Sequence, residues 1–369
     1  MVSGSLSKLL RHLAPTRAGA RKSAMRSSPE DFGFGKHPAF RPSAIAEPDI
    51  ETDDPTGNEM DEDTSDVLTP APVRALATDD TMEILGFARA CLKEGFDVVL
   101  ATLVEIRGGA ARALGSHMVV AADGRFCGYV SGGCVEAAVA REALLAIKKG
   151  CDTTVTFGDG SPFFDIVLPC GGSITIALHL LKDGGPIEEV LRRIDDRRPA
   201  GLRYCRERQM LQFVEPPERA GWQGGDFLAS YRPRTRVVIS GQTVEASAVA
   251  RLAAASQCDV LVYENGRSEG DIVRQIDAYT AILFLHHDLD REEPLLRKVI
   301  GSPAFYVGAL GSTRTHRKRV ERLKELGYGD DDIARIKAPI GIFGPTRDAN
   351  SLALSVMADV VACRLALFG

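Results

Sequence analysis

Two short motifs place a cysteine beside a pair of glycines. The first reads SGGCVE over residues 131–136, and the second reads PCGG over residues 169–172. Paired glycines let the backbone approach a ligand closely, and a helix that starts within the first motif would direct free N–H groups at an anion. Cys134 and Cys170 would be soft ligands for a molybdenum or copper-type ion, or carriers of sulfur as a persulfide. The alternative is that each motif is a tight turn with a small buried cysteine.

A glycine turn also opens the second half of the chain. ISGQTVEA, residues 239–246, stands where dinucleotide-binding proteins carry Gly-x-Gly-x-x-Gly. Gly241 matches the first glycine, but Thr243 replaces the second, which lets the backbone approach a pyrophosphate. Glu264, about 20 residues further on, ends the next apolar run and is the acid type that binds a ribose hydroxyl. A nicotinamide dinucleotide site and an ordinary strand-end charge therefore both remain open.

Two polar loops follow later apolar runs of this half. HHD, residues 286–288, comes after TAILFL, and GALGS, residues 308–312, comes after AFYV. Ligands of open α/β sheets bind beyond the carboxyl ends of the strands, which makes His287 and Asp288 candidate contacts. The second loop and Arg314 favour an anion cradle at a helix start. The alternative for the basic residues 317–319 is a solvated helix face.

The spacing of apolar residues predicts the elements that hold these motifs. Residues 80–215 alternate strands, a hairpin at Asp123-Gly124 and helices, which predicts a small α+β domain. Residues 216–235 are rich in Gly and Pro and lack periodicity, which predicts an interdomain linker. Residues 236–369 alternate short apolar strands with helices, which predicts a Rossmann-like, doubly wound parallel sheet. The predicted fold class is α/β.

The first 79 residues differ in composition from the rest. Residues 1–41 carry eight Lys and Arg against two acids, whereas residues 42–80 carry twelve acids against Arg74 alone. Few large apolar side chains accompany these charges, so residues 1–79 are predicted to be a disordered basic-then-acidic arm. The alternative for the first 29 residues is a transit peptide or a docking helix.

Composition excludes several classes of function. The chain has 369 residues, 44% of them apolar, and a formal net charge of −5, which argues against nucleic acid as a partner. No uninterrupted apolar run has the ~18–20 residues of a membrane span. Eight cysteines in a chain of this length do not suggest a disulfide framework. We therefore expect reduced thiols in a cytoplasmic protein.

The motifs together resemble the XdhC/CoxI family. The resemblance rests on residues 131–136, 168–172, 306–312 and 338–341, in this order, and it covers residues 80–369. It implies an accessory protein of molybdenum hydroxylases such as xanthine dehydrogenase and carbon monoxide dehydrogenase, a maturation chaperone more than an enzyme. Such a protein would bind the molybdenum cofactor transiently, support its sulfuration with a cysteine desulfurase, deliver it to the apo-enzyme and form a homodimer.

The candidate ligand residues fall in both predicted domains. Cys134 and Cys170 are the candidate contacts to molybdenum or its sulfur. NAD(P) is the less favoured cofactor; it would make the chain a nicotinamide-dependent oxidoreductase. A third possibility is an assembly factor that binds the target enzyme and no small molecule. The candidate cofactor-binding residues are Ser131, Gly132, Gly133, Cys134, Glu136, Cys170, Gly171, Gly172, Gly241, Glu264, His287, Asp288, Gly308, Gly311, Ser312 and Arg314.

Overall fold

The structure is a computed structural model that describes residues 69–159, 161, 171–263 and 269–368. Two of the candidate site residues, Cys170 and Glu264, lie outside the described residues. So do residues 1–68, which make up most of the predicted arm.

A six-stranded mixed sheet forms the centre of the first domain. Its strand order is β1-β4-β3-β2-β6-β5; β1 pairs with β4 in parallel and the other pairs are antiparallel. The predicted hairpin at Asp123-Gly124 joins β3 to β4, and Gly124 has a φ of 89° there. The strands are β1 (Val73–Leu76), β2 (Val98–Arg107), β3 (His117–Ala121), β4 (Arg125–Gly128), β5 (Thr153–Gly158) and β6 (Ser173–Leu180).

Three helices cover the two faces of this sheet. The carboxylate of Asp80 caps the first of them by accepting hydrogen bonds from the backbone N–H groups of Met82 and Glu83. Apolar residues of α1 and α3 share one core cluster, and those of α2 belong to a second cluster on the opposite face. The helices are α1 (Thr81–Lys93), α2 (Glu136–Lys149) and α3 (Gly185–Asp195).

The region predicted as a linker, residues 216–235, contains two strands instead. They complete a four-stranded antiparallel sheet in which Phe227 is buried and the Trp222 indole N–H donates to the Val104 carbonyl at 3.0 Å. The glycines that suggested a linker, Gly224 and Gly225, form the tight turn between the two strands. The strands are β7 (Ala200–Cys205), β8 (Met210–Val214), β9 (Gly221–Gln223) and β10 (Asp226–Tyr231), in the order β8-β7-β10-β9.

The predicted disordered arm also ends earlier than residue 79. Residues 73–76 form β1, an edge strand of the six-stranded sheet. The Arg74 guanidinium stacks 4.8 Å from the centre of the Phe126 ring and 4.4 Å from that of Tyr129. Pairing along β4 and these ring contacts order a segment whose mostly exposed side chains give no strand pattern in the sequence.

The second domain is a five-stranded sheet whose strands are all parallel, as the sequence predicts. The order is β12-β11-β13-β14-β15, so the connections reverse direction between β11 and β13. The strands are β11 (Arg236–Ser240), β12 (Asp259–Tyr263), β13 (Thr280–Phe284), β14 (Tyr306–Ala309) and β15 (Ile336–Lys337). The helices are α4 (Val244–Ala255), α5 (Glu269–Val273), α6 (Leu289–Val299), α7 (Thr313–Glu325), α8 (Asp330–Ala334) and α9 (Ala349–Phe368).

Helix α9 closes the chain along one face of this sheet. Leu352, Val356 and Val360 on its inner side are buried in a core shared with α4. By length and composition alone it is the one described helix that could cross a membrane. Its buried side is already part of the core of the second domain.

Ion pairs of Arg197 and Arg234 join the domains. Arg197 at the end of α3 binds Asp277 through two hydrogen bonds of 2.7 and 3.0 Å. Arg234 binds the Asp80 carboxylate at 2.6 Å. Since Asp277 and Arg234 precede β13 and β11, both contacts lie at the amino edge of the parallel sheet. The carboxyl edge of that sheet therefore lies away from these contacts with the first domain.

Candidate functional site

Both cysteine motifs leave the six-stranded sheet at the same edge. The end of β2 and the end of β5 both pair with the start of β6, since Arg107 and Gly158 lie opposite Ser173. The end of β4 lies beside the start of β3. The loops after β2 and β4, residues 108–116 and 129–135, therefore lie at the same edge as the described ends of the β5–β6 connection, residues 159 and 171–172. We call this part of the molecule the thiol edge.

The loop after β2 contacts the glycines of both motifs. A Cβ atom on Gly132 would lie 3.5 Å from the Ala111 side chain. A Cβ atom on Gly172 would lie 2.3 Å from the Arg107 carbonyl oxygen, so only glycine fits there. Gly132 of the first motif and Gly172 of the second thus both border this loop. The position of the Cys170 thiol itself stays a prediction.

Glu136 holds the SGGC turn together from inside the protein. Its side chain is 1% exposed. The carboxylate accepts hydrogen bonds from the backbone N–H groups of Ser131 at 2.8 Å and Val130 at 3.2 Å, and from the Ser131 hydroxyl at 2.9 Å. A buried carboxylate needs such donors to offset its loss of hydration. The sequence predicts a direct ligand contact for Glu136. Because its side chain is buried, it instead stabilises the conformation of the turn.

Cys134 is presented to solvent by this turn. Its side chain is exposed, and Sγ lies 3.4 Å from the Ser131 hydroxyl oxygen. Gly133 has a φ of 110°, a conformation that favours glycine. Helix α2 begins at Glu136, the last residue of the first motif, and Val135 at its N-cap gives no side-chain hydrogen bond. The thiol therefore stands beside a helix start that lacks a side-chain cap.

Arg112 is a residue of the thiol edge that sequence reasoning missed. Its Nε donates to the Ser131 carbonyl at 3.3 Å, and Nη1 pairs with Asp79 at 2.7 Å. Its guanidinium also lies 5.4 Å from the centre of the Tyr129 ring. The only signal in the sequence was that Arg112 is the one basic residue in a loop that is otherwise rich in glycine and alanine. Arg112 brings a positive charge to the base of the cysteine turn.

A second candidate site lies at the carboxyl edge of the parallel sheet, where β11 and β13 meet. Open α/β sheets bind ligands at such a reversal of strand order. A cleft of about 320 Å³ opens there, and we call it the switch-point cleft. A Cβ atom on Gly241 would lie 2.7 Å from the Leu285 carbonyl oxygen, so glycine lets the two loops meet. The cleft is lined by Gly241, Gln242, Thr243, Tyr263, His286, His287, Asp288 and Arg291.

The predicted contacts His287 and Asp288 both line this cleft. His287 is exposed, and its Nε2 lies 3.9 Å from the Glu245 carboxylate. Asp288 caps α6 by accepting a hydrogen bond from the Asp290 N–H at 3.0 Å. Thr243 likewise caps α4 by accepting from the Ala246 N–H at 3.1 Å. The threonine that breaks the glycine pattern is thus a helix cap.

The predicted anion cradle at residues 308–312 is occupied by packing and capping contacts. A Cβ atom on Gly308, inside β14, would lie 2.7 Å from the Ile340 side chain, and one on Gly311 would lie 2.9 Å from Thr315. Ser312 caps α7 through the Thr315 N–H at 3.2 Å. Arg314 is exposed. A ligand role for these residues stays a prediction.

The basic run after this loop includes an arginine that is buried and paired. Arg319, predicted to lie on a solvated helix face, is 2% exposed and forms a two-pronged ion pair with Glu292, which is 1% exposed. Burial raises the pKa of Glu292, and the hydrogen bonds and charge of Arg319 oppose that effect. The pair fastens α7 to α6.

The candidate residues therefore fall into two separate sites. The cysteine motifs belong to the first domain, whereas the 308–312 loop and the switch-point cleft lie at the carboxyl edge of the parallel sheet. The domain contacts lie at its amino edge, and a five-residue strand spans roughly 16 Å between the two. Within one chain, the second domain's candidates are thus not part of the thiol edge.

Comparison with protein families agrees with the fold and covers the SGGC motif. Residues 91–158 match the model described as "XdhC and CoxI family", and residues 237–360 match the model described as "XdhC Rossmann domain". The first match contains the SGGC motif, and the second contains the parallel sheet. The chain belongs to the XdhC and CoxI family, as its motifs predict.

Individual proteins and one solved structure are also similar to this chain. The chain is 49% identical over 294 residues to the molybdenum cofactor insertion chaperone PaoD of Escherichia coli K12, covering 80% of this chain and 92% of that protein. It is 22% identical over 301 residues to the uncharacterized protein YqeB of the same organism, covering 46% of that protein. A xanthine dehydrogenase structure from Bacillus halodurans has the same fold, with a TM-score of 0.60 at 17% identity over 76% of this chain and 96% of that chain.

Proposed function

We propose that this protein binds the molybdenum cofactor at the thiol edge and inserts it into an apo molybdenum hydroxylase. The observation that carries the proposal is the packing of both glycine–cysteine turns against residues 107–111, with Cys134 open to solvent. The 49% identity to an insertion chaperone supports the same function. The cofactor is the cargo of such a protein and leaves with the client enzyme.

The chemistry of the thiol edge suits this cargo. Thiolates are soft ligands for molybdenum. The start of α2 has no side-chain cap, so its backbone N–H groups can receive the phosphate of the pterin. Arg112 adds a positive charge at the base of the turn. We place Cys170, from the loop between β5 and β6, as the second thiol. Both cysteines would hold the metal end while α2 holds the anionic end.

Sulfuration is the step that an exposed thiol edge would support. A cysteine desulfurase that delivers sulfur to the bound cofactor needs access to the molybdenum. Cys134 is exposed, so a cofactor beside it would be within reach of such a partner. The client would be a hydroxylase of the xanthine or carbon monoxide dehydrogenase type. All seven cysteines that the structure describes are free thiols, in keeping with a reducing compartment such as the cytoplasm.

The outer side of α9 supports a homodimer. Leu354 is 56% exposed and Leu365 is 52% exposed, and Ala358 and Val361 lie exposed between them. The spacing of four, three and four residues places all of them on one stripe. The stripe has a leucine at each end and smaller residues between them. A second copy of α9 that runs antiparallel would therefore present residues of matching size. Leu354→Glu with Leu365→Glu should convert a dimer to a monomer in light scattering; an unchanged mass would reject this seam.

The cofactor site is tested by loading molybdenum cofactor onto the full chain and measuring retained molybdenum after gel filtration. Wild-type protein should retain it, and Cys134→Ser with Cys170→Ser should lose most of it. Cys151→Ser is the matched control, since Cys151 is also exposed but precedes β5, at the opposite edge of the sheet. Equal retention by wild type and the double variant would remove the thiols from the function.

A further inference from the structure

The start of α4 is filled where a dinucleotide would place its pyrophosphate. A Rossmann-type domain implies a dinucleotide whose pyrophosphate lies on this helix N-terminus. Here Thr243 caps the helix. The pKa of Glu245 is lowered, because its carboxylate accepts a hydrogen bond from its own backbone N–H, with smaller contributions from Thr243 and His287. A capping threonine and a negative side chain in the first turn of α4, 3.9 Å from His287, thus replace the open, glycine-lined helix start that a dinucleotide needs.

The lining of the switch-point cleft also carries hydrogen-bond donors. The exposed Arg291 guanidinium forms no hydrogen bond or ion pair with any residue in the described ranges, nor does the Gln242 amide within those ranges. His287 is the third donor on this rim, and its nearest charged partner is Glu245 at 3.9 Å. Three donors around one cleft, with the guanidinium unpaired, match a single anionic group.

His286 is a lining residue of the cleft that is held in place by a buried hydroxyl. Its Nε2 lies 2.8 Å from the hydroxyl oxygen of Ser240, which is fully buried at the end of β11. Burial lowers the pKa of His286, and the charge of Arg291 lowers it further. The ring is therefore neutral near pH 7, and the positive charge of the cleft lies at its rim, on Arg291.

We propose that the switch-point cleft binds a phosphate monoester, with the phosphate on Arg291, Gln242 and His287, and that Glu245 excludes the pyrophosphate of a dinucleotide. The cleft volume of about 320 Å³ is at the lower end for small-molecule sites. This site goes beyond the proposed function, because it belongs to the other domain and shares no residue with the thiol edge. A mononucleotide and a phosphorylated pterin share the terminal phosphate that it recognises.

Isothermal titration of the full chain with four probes tests the ligand class. Adenosine monophosphate and inorganic phosphate should bind and compete with each other, whereas adenosine and NAD⁺ should not bind. Tighter binding of adenosine monophosphate than of phosphate would assign the site to nucleotides, and equal binding to phosphate esters in general. Absence of binding by both phosphate probes, or NAD⁺ binding as tight as that of adenosine monophosphate, would overturn the proposal.

Variants locate the site and separate it from cofactor binding. Arg291→Ala should weaken phosphate binding by about tenfold or more, the effect of losing a charge-assisted hydrogen bond. Arg297→Ala is the matched control, because Arg297 lies on the same helix and pairs with Glu293 outside the cleft. Cys134→Ser should bind phosphate as wild type does, whether or not it still holds molybdenum. Equal binding by Arg291→Ala and wild type would overturn the assignment.

A gain of binding tests the second half of the proposal. Thr243→Gly with Glu245→Gln restores the second glycine of the turn and removes the negative charge from the start of α4. This double variant should acquire NAD⁺ binding that wild type lacks. Its thermal melting should first show that the domain remains folded without the Thr243 cap. A folded double variant that still fails to bind NAD⁺ would show that Glu245 is not what excludes the dinucleotide.

Discussion

The thiol edge and the switch-point cleft are built from the same elements but differ in what fills them. In each, a strand ends in a glycine turn and a helix begins. At the thiol edge the helix start lacks a side-chain cap, and the nearby glutamate is buried under the turn. At the cleft, Thr243 caps the helix and Glu245 lies in its first turn. A glycine turn therefore presents the helix start to a ligand only where no side chain caps that helix.

The largest expected difference in stability is between variants of Glu136 and Glu245, each of which lies in the first turn of a helix. Glu136→Ala should lower the free energy of unfolding by roughly 3 kcal/mol, because the Ser131 and Val130 N–H groups would lose their buried acceptor at about 1–3 kcal/mol each. Glu245→Ala should cost only about 0.5 kcal/mol, since Glu245 acts at a partly exposed helix start. Urea unfolding measures both. Equal costs would contradict the different roles assigned to the two residues.

Low pH should destabilise the first domain more than the second. His117, which begins β3 at the thiol edge, is fully enclosed between Thr102 and Tyr231. Burial lowers its pKa to about 4, below the unfolded value near 6.5. The unfolded chain binds more protons between these values, so stability is lost as pH falls from about 6.5 to 4, by about 3 kcal/mol in all.

Hydrogen exchange shows where this loss occurs. At pH 5, amides of the first domain should lose protection relative to pH 7 more than those of the parallel sheet. His117→Gln should be less stable at pH 7 but should show a shallower decline on acidification. If the variant and the wild type declined in parallel, the buried histidine would not be the cause.

A smaller effect than that of Glu136→Ala or of acid is expected for the helix caps of the second domain. Thr243→Ala and Ser312→Ala each remove a side-chain acceptor at a helix start, and each should cost about 1 kcal/mol. Neither should change molybdenum retention, because both residues lie at the carboxyl edge of the parallel sheet. Thermal melting and the cofactor-loading assay measure the two effects. A loss of retained molybdenum in either folded variant would connect the two sites.

Local signals made much of the fold predictable from the sequence. The Asp123-Gly124 turn and the alternation of strands and helices after residue 235 depend on neighbours along the chain, and the structure confirms them. Strand β1 and strands β9 and β10 depend on pairing with distant partners. Their glycine-rich or charged composition therefore suggested a linker and an arm.

Some features of the candidate site are likewise visible in the sequence, and others arise only from the fold. The types and spacing of Ser131, Gly132 and Cys134 are visible in the sequence. The burial of Glu136 and the contact from Arg112 to the Ser131 carbonyl arise only when the turn folds back on itself. The separation of the two sites follows from which edge of the parallel sheet meets the first domain, and ion pairs of Arg197 and Arg234 decide that.

X-ray absorption at the molybdenum edge tests most directly whether the thiol edge holds the cofactor. Wild-type protein loaded with cofactor should show a protein sulfur neighbour at molybdenum in addition to the sulfurs of the pterin. Cys134→Ser or Cys170→Ser should lose sulfur coordination, and Cys151→Ser should match wild type. Identical spectra for wild type and both site variants, at equal loading, would show that the cysteines do not bind the metal and would contradict the proposed function of this edge.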